Sequence, residues 1–280
     1  MKPRIPTVAL PGGIEVPALG LGTWHMGESV RRRAREAAAL VAGIALGMTL
    51  VDTAEMYGDG GAEEAVGDAI AGRRDEVFVV SKVYPHNAGA RSAIAACERS
   101  LRRLRSDRLD LYLLHWRGRI PLAETIGAFE RLRQDGKIRR WGVSNFDVDD
   151  MHELLALPEG RHCAANQVLW HLGERGAEWA LEPLCRSHGI PLIAYCPLGE
   201  GALLQDRRLL AIASGIDATP AQLALAWLVG RGAIAIPKSG NLEHLRENRA
   251  AASLQLSPST LAAIDAAFPP PARATSLSVI

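Results

Sequence analysis

Four ionisable side chains stand where apolar runs of the chain give out. Asp52 directly follows Thr49–Val51, Tyr57 lies just beyond it in DTAEMYG, Lys82 ends VFVVSK and His115 ends LDLYLLH. Together these types suggest proton chemistry. A tyrosine hydroxyl titrates near about 10 in water, so it takes part at neutral pH only when a nearby cation favours the phenolate. Lys82 is the candidate cation. Asp52 can hold that ammonium charged and aimed, because a lone buried lysine tends to lose its proton. A neutral His115 can hydrogen-bond an oxygen of a bound molecule and orient it. A second chemistry uses Lys82 as a Schiff-base nucleophile, as class I aldolases do. That requires a depressed amine pKa, which a neighbouring Asp52 opposes.

These residues can meet only if the strands before them are neighbours. Short apolar or β-branched runs alternate with longer segments of helical period along the whole chain. The strand candidates are Ala18–Leu21, Thr49–Val51, Val77–Lys82, Leu109–Leu114, Ile138–Val143, Ala164–Val168, Leu192–Tyr195 and Ala233–Ile236. Between the first two, apolar residues from Ala37 to Met48 repeat with helical spacing, and Gly47 is a natural stop. Before the fourth, Ile94, Cys97, Leu101 and Leu104 share one helix face, with Glu98 and Arg102 on the other. Pro121 suits the first turn of the next helix. Eight such units in about 250 residues make a (β/α)8 TIM barrel, an α/β fold whose active site lies where strands end at the C-terminal face. A doubly wound sheet would show G-x-G-x-x-G after its first strand, but His25 stands where the third glycine belongs. Val8–Val16 reads as an N-terminal β-hairpin able to close the barrel bottom, and the tail PPPARATSLSVI as irregular. The whole chain, 1–280, reads as a single domain without a linker.

Composition narrows the partners. The 280 residues carry 32 Lys+Arg against 31 Asp+Glu, a net charge of +1, with a mean hydropathy of +0.03. No long-range field draws such a chain to nucleic acid or anionic lipid. The longest uncharged stretch, Ala37–Val51, falls short of the roughly 20 apolar residues that span a bilayer, and the start has no signal-like apolar region. Cytoplasmic location is expected. Cys97, Cys163, Cys185 and Cys196 are widely spaced, without a zinc or C-x-x-C pattern, and read as reduced. Monomer is the default expectation.

Asp52, Tyr57, Lys82 and His115 in DTAEMYG, SK and LLH resemble the aldo-keto reductase family, and the likeness covers nearly the full chain. GLGTW at Gly20–Trp24, Trp116 after His115, GVSNF at Gly142–Phe146, NQV at Asn166–Val168 and IPKS at Ile236–Ser239 match in order. DTAEMYGDGGAE, SKVYP and LLHWRG further resemble a bacterial subgroup that reduces methylglyoxal and related small aldehydes. The resemblance implies hydride transfer to a carbonyl, with Tyr57 as proton donor and no metal. Trp24 and Trp116, with Tyr57 and His115, would wall a small planar substrate. The loop Arg117–Ile120 is short, which suggests a permissive mouth.

Side chains supply no hydride, so a cofactor must, and the resemblance implies NADPH across the barrel mouth, with Gly22, Thr23 and Asp52 among its contacts. Ser144, Asn145 and Gln167 match the trio that holds the nicotinamide carboxamide. Tyr195 is placed to stack on the nicotinamide. Cys196, Pro197, Leu198 and Gly199 resemble the loop over the pyrophosphate, with Cys196 in place of the usual serine. Lys238 and Ser239, before a helix starting near Asn241, suit the 2′-phosphate. Glu247 and Asn248 match adenine contacts. His244 replaces the family's usual arginine, which leaves use of NADH open. The non-enzymatic alternative is a nucleotide-binding sensor or scaffold subunit on the same fold.

Overall fold

The computed structural model describes residues 4–280. It begins with an antiparallel hairpin, β1 (Thr7–Leu10) and β2 (Ile14–Pro17). Eight parallel strands follow: β3 (Leu21–Gly22), β4 (Leu50–Asp52), β5 (Phe78–Val83), β6 (Leu111–Leu114), β7 (Trp141–Ser144), β8 (Cys163–Leu169), β9 (Leu192–Tyr195) and β10 (Ile234–Ala235). Each pairs with its sequence neighbour. The ring closes where Leu19 bridges Ala235, Gly20 N donates to Ala235 O and Gly22 N to Pro237 O. This is the expected (β/α)8 barrel.

The helices are α1 (Val30–Ala45), α2 (Gly61–Ala69), α3 (Ser92–Leu104), α4 (Leu122–Gln134), α5 (Val148–Ala156), α6 (Leu181–Ser187), α7 (Arg207–Ser214), α8 (Pro220–Gly230), α9 (Leu242–Ala251) and α10 (Pro258–Ala267). Eight cover the barrel, while α7 and α10 are additions that pack on each other. After α1, Gly47 adopts φ +94° and the Met48 N–H returns to Gly43 O, so the glycine does end this helix. Pro121 sits one position earlier than expected, immediately before α4. Residues 269–280 form no helix or strand, as expected of the tail. Among the described residues no helix is long and apolar enough to cross a membrane.

Strand limits differ from the sequence expectation mainly at strand starts. Ile138 only bridges Leu109, and regular pairing of β7 begins at Trp141, where a register shift around Gly142 interrupts the ladder with β8. Gly142 is confined there because a Cβ would lie 2.4 Å from Ala165 O... a separation no side chain tolerates. Alternation along the strands then decides what faces inward. Leu50, Val80, Leu111, Leu113, Ile193 and Ile234 form an apolar plug inside the barrel, and Leu10 and Val16 of the hairpin join it from below. Continuing the same parity upward places Asp52, Lys82, His115, Gln167 and Tyr195 at the top of the barrel. Outward-facing Val51, Val79, Val83, Tyr112 and Leu114 pack under the helices instead.

The loops above this layer are locked together. Gly27, at φ +75°, lies against the backbone of Gly61 and Ala62, so a Cβ would overlap it. The Gly27 N–H donates to Glu36 Oε2 at 2.9 Å. Buried Glu55 accepts from Tyr84 N and Asn87 Nδ2 at 2.9 and 3.0 Å, tying the loop after β4 to the loop after β5. Gly27→Ala is therefore expected to cost at least about 2 kcal/mol from left-handed strain and steric overlap. Urea denaturation measures the loss, and stability equal to the parent would show that this loop contact is slack.

Candidate active site

Lys82 is wholly buried, and its three N–H groups meet three oxygens. Nζ donates to Asp52 Oδ1 at 2.6 Å, to Thr53 O at 2.9 Å and to Tyr57 Oη at 3.1 Å. Adjacent strands β4 and β5 supply the aspartate and the lysine. The chain leaving β4 brings back the other two oxygens through a turn that Tyr57 N–H closes on Ala54 O, and Gly58 and Asp59, both left-handed, follow it. Because Tyr57 Oη accepts from Lys82, its own O–H is free to donate elsewhere, and Tyr57 lines a cleft of about 750 Å³. His115 stands edge-on to Tyr57, ring centroids 5.8 Å apart, and packs on Trp116 at 4.8 Å. Behind the pair, Asp52 Oδ2 accepts from Gln167 Nε2 at 2.7 Å, and the Asp52 carbonyl from Thr23 Oγ1 at 2.9 Å.

Electrostatics set the charge states. Burial alone would lower the Lys82 ammonium, yet Asp52 and Tyr57 outweigh it and hold the lysine above its ordinary value. Burial raises the Asp52 carboxyl, while Lys82 and Gln167 pull it back. The shared proton stays on nitrogen, since only an ammonium satisfies all three acceptors. From the sequence, Lys82 is expected to dominate at Tyr57. Instead burial dominates and moves the phenol above its ordinary value, with Lys82 opposing. Tyr57 is thus a neutral O–H donor with its conjugate base pre-stabilised by Lys82. His115 is pushed well below its ordinary value by burial and by the Lys82 charge, so its ring is neutral.

The Schiff-base alternative fails on this geometry. Lys82 is held above, not below, the usual amine range and sits behind Tyr57, outside the lining of the cleft.

The cleft also gathers the other residues expected at a nucleotide site. Gly22, Thr23, Trp24, Trp116, Ser144, Asn145, Gln167, Tyr195, Cys196, Pro197, Leu198, Lys238, Ser239, His244, Glu247 and Asn248 all line it. Gly199 does not. It is left-handed, its N–H closes a turn onto Cys196 O, and it faces His171 and Leu203. Asn145 Nδ2 donates to His115 O at 3.1 Å, and Asn145 Oδ1 accepts from Tyr195 Oη at 2.9 Å. Ser144 Oγ donates to Gln167 O at 2.9 Å. Burial pushes the Cys196 thiol up to about 12, so it is a neutral thiol. At the far end Asn241 caps α9, accepting from Glu243 N at 2.8 Å, with exposed Lys238 and His244 beside that helix start. An amide and hydroxyl cluster at one end, with a cation and a helix N-terminus at the other, fits a dinucleotide with an anionic far end.

Sequence reasoning missed several lining residues: His25, Met56, Leu204, Ala221, Val279 and Ile280. His25 is marked in the sequence only by following Trp24, on which its ring stacks at 4.5 Å from a left-handed φ of +63°. Ala221 carries none, because it reaches the cleft only through the packing of α8. The tail is steered there by two bonds, Leu277 N to Asp147 Oδ2 and Ser278 Oγ to Glu174 Oε2, both 2.9 Å.

Comparison with known proteins agrees with this architecture. A model of the Aldo/keto reductase family matches residues 18–268. The chain is 50% identical over 275 residues to the methylglyoxal reductase YeaE of Escherichia coli strain K12, covering 96% of this chain and 97% of that one. It is 38% identical over 264 residues to a glyoxal reductase of Bacillus subtilis strain 168, covering 93% and 92%. A crystal structure of an aldo-keto reductase from Klebsiella pneumoniae in complex with NADPH superposes with a TM-score of 0.96 at 51% identity, covering 100% of both chains.

The buried pair makes a stability prediction. Lys82→Met strands Asp52 without its cation and is expected to cost about 3–5 kcal/mol in denaturant at neutral pH. The loss shrinks as pH falls, because a protonated Asp52 tolerates burial. Adding Asp52→Asn restores most of the stability without restoring any activity. A single Lys82→Met variant as stable as the parent at neutral pH would contradict an ionised pair.

Proposed function

The chain belongs to the aldo/keto reductase family, and on that premise we propose that it reduces small aldehydes and 2-oxoaldehydes, methylglyoxal among them, with NADPH. The observation that carries the reading is the buried Asp52–Lys82–Tyr57 relay, which ends on a free hydroxyl facing the cleft. Such a group does its work where charge develops on a carbonyl oxygen and bulk water is excluded.

NADPH, when bound, supplies the hydride. Ser144, Asn145 and Gln167 would hold its carboxamide, and Tyr195, fixed by Asn145, would stack on its ring. Gly22 and Thr23 would lie beside it, and Cys196, Pro197 and Leu198 would cover the pyrophosphate. Lys238, Ser239 and His244 at the start of α9 would take the 2′-phosphate, with Glu247 and Asn248 at the adenine. His244, exposed and without the fork of an arginine, makes Lys238 the main determinant of NADPH over NADH.

Substrate handling falls to the chain's own groups. The neutral His115 ring donates its N–H to the carbonyl oxygen and aligns it with Tyr57. Tyr57 passes its proton to that oxygen, and Lys82, at 3.1 Å, stabilises the phenolate left behind. Asp52 keeps Lys82 charged while this happens. Trp24 and Trp116 form flat walls that favour a small planar carbonyl. The loop between β6 and α4 is short and braced, because Arg117 donates to Gly118 O, Ile120 O and Glu153 Oε1.

Purified protein is expected to consume the near-ultraviolet absorbance of NADPH when given methylglyoxal, faster than with an aldose sugar. No oxidation with methylglyoxal, an aromatic aldehyde or an aldose would sink the proposal. In the same assay Tyr57→Phe should lose about 100-fold or more in kcat while keeping its NADPH affinity. Lys238→Ala should raise the KM for NADPH about tenfold and leave that for NADH nearly unmoved. Equal effects on the two nucleotides would remove the phosphate assignment.

A further inference from the structure

The Asp52 carboxylate has two oxygens, and only one of them belongs to the lysine. Oδ1 accepts from Lys82, whereas Oδ2 accepts from Gln167 Nε2, reaching across the barrel from β8. Gln167 is 1% exposed and lines the cleft. Its amide can point only one way. A carboxylate accepts and cannot donate, so the amide nitrogen must face Asp52, which turns the carbonyl Oε1 away from it. Among the described residues Oε1 has no hydrogen-bond partner, nor is it sealed off as a buried orphan. It is an acceptor offered to whatever fills the cleft.

We propose that Gln167 is a positioning residue that joins cofactor and proton donor in one hydrogen-bonded chain: Oε1 accepts from the nicotinamide carboxamide, and Nε2 fixes Asp52. This rests on the reading of the cleft as a nicotinamide site. From Gln167 the chain runs through Asp52 Oδ2 and Oδ1 to Lys82 Nζ and on to Tyr57 Oη, every contact between 2.6 and 3.1 Å. With a carboxamide on Oε1, the Gln167 amide would be polarised, would donate more strongly to Asp52 and would steady the Lys82 ammonium that Tyr57 depends on. The groups facing Asp52 are Lys82 from β5, Gln167 from β8 and Thr23 Oγ1 on the main-chain carbonyl, so Gln167 is the one uncharged side-chain donor to its carboxylate among the described residues.

Gln167→Glu tests this by sign. The introduced carboxyl lies against Asp52 Oδ2, and two carboxylates at that separation do not both ionise, so one proton is retained between them. At about pH 6 the protonated group donates to Asp52 as the amide did, and kcat relative to the parent is at its highest there. The introduced group has a folded-state pKa above its unfolded value. Its favourable contribution is therefore present at low pH and lost as pH rises through the folded value. Between about pH 6 and 8.5, kcat should fall at least tenfold relative to the parent, and the Tm of the cofactor-free variant should drop relative to the parent over the same range. A glutamine serving only the carboxamide gives the opposite result. An ionised carboxylate accepts a carboxamide N–H at least as well as an amide oxygen, so relative kcat would hold or rise with pH and the Tm difference would stay flat. Either behaviour overturns the proposal.

Gln167→Met is the second variant, of similar size and without either polar atom. It is expected to lower kcat about 10- to 100-fold beyond its loss of NADPH affinity measured by fluorescence quenching. A loss confined to affinity would overturn the proposal as well. The Tm comparison uses neither cofactor nor carbonyl. A protein inactive toward every carbonyl would thus end the proposed function, while the Tm result still reports on the contact between Gln167 and Asp52.

Discussion

A lysine ammonium with no access to water is the constraint around which the rest of this barrel is arranged. Burying such an ion costs several kcal/mol unless each N–H finds an acceptor and the charge a counter-charge. Lys82 finds both in Asp52, Thr53 O and Tyr57 Oη. Those acceptors come from one short stretch, the end of β4 and the turn beyond it. A turn closed by Tyr57 N–H on Ala54 O brings the tyrosine back over the lysine, and left-handed backbone at Gly58, Asp59 and Gly60 then leads the chain into α2. Below that turn, buried Glu63 holds Arg103 Nε at 2.6 Å and accepts from Ser81 Oγ at 2.5 Å, so a second ion pair on the outer side of β5 backs the first.

The barrel supplies the low dielectric that makes this arrangement effective. Beneath the polar layer lies an aliphatic plug, sealed at the bottom by Leu10 and Val16 from the hairpin. Water therefore cannot solvate Lys82 or Asp52 from below, and their mutual attraction is screened less than at a surface. The same dryness lifts Tyr57 and lowers His115, so both are neutral. One environment thus creates two neutral donors next to one fixed ion pair. A polar plug would weaken all of these effects together.

Much of this was legible because strand endings are written in the chain. Asp52, Lys82, His115 and Tyr195 each close an apolar run, and the parity of a strand is strict, so knowing that Val80 is interior makes Lys82 interior too. The eight units and the hairpin followed from periodicity for the same reason. Strand starts were less legible. Ala18–Gly20 and Ile138 bond at the barrel rim through single bridges, which no local pattern distinguishes from a ladder. The size of opposing electrostatic effects was also hidden, since a sequence shows that Lys82 is near Tyr57 in kind but not how deeply both are buried. The bond from Gln167 to Asp52 spans 115 positions, and only closure of the ring brings β8 opposite β4. Val279 and Ile280 reach the cleft through two side-chain anchors on distant helices and loops, for which the tail itself carries no sign.

The charge balance of the inner cleft bears on what it accepts. Asp52 and Lys82 cancel, while Tyr57 and His115 are neutral, so the reacting end has no net charge to offer. Arg117 lines the mouth, but its guanidinium is committed to two carbonyls and to Glu153 Oε1 at 2.7 Å. An anionic substrate would therefore lose its hydration without meeting an uncommitted cation near the relay, and burying an unpaired charge is costly. A small neutral carbonyl has little hydration to lose, and a planar one packs against Trp24 and Trp116. On the proposed reaction its oxygen would acquire charge only as it reacts, when hydrogen bonds from Tyr57 and His115 would gain most. On the proposed function, a preference for neutral dicarbonyls and simple aldehydes would follow from the same neutrality that keeps Tyr57 protonated.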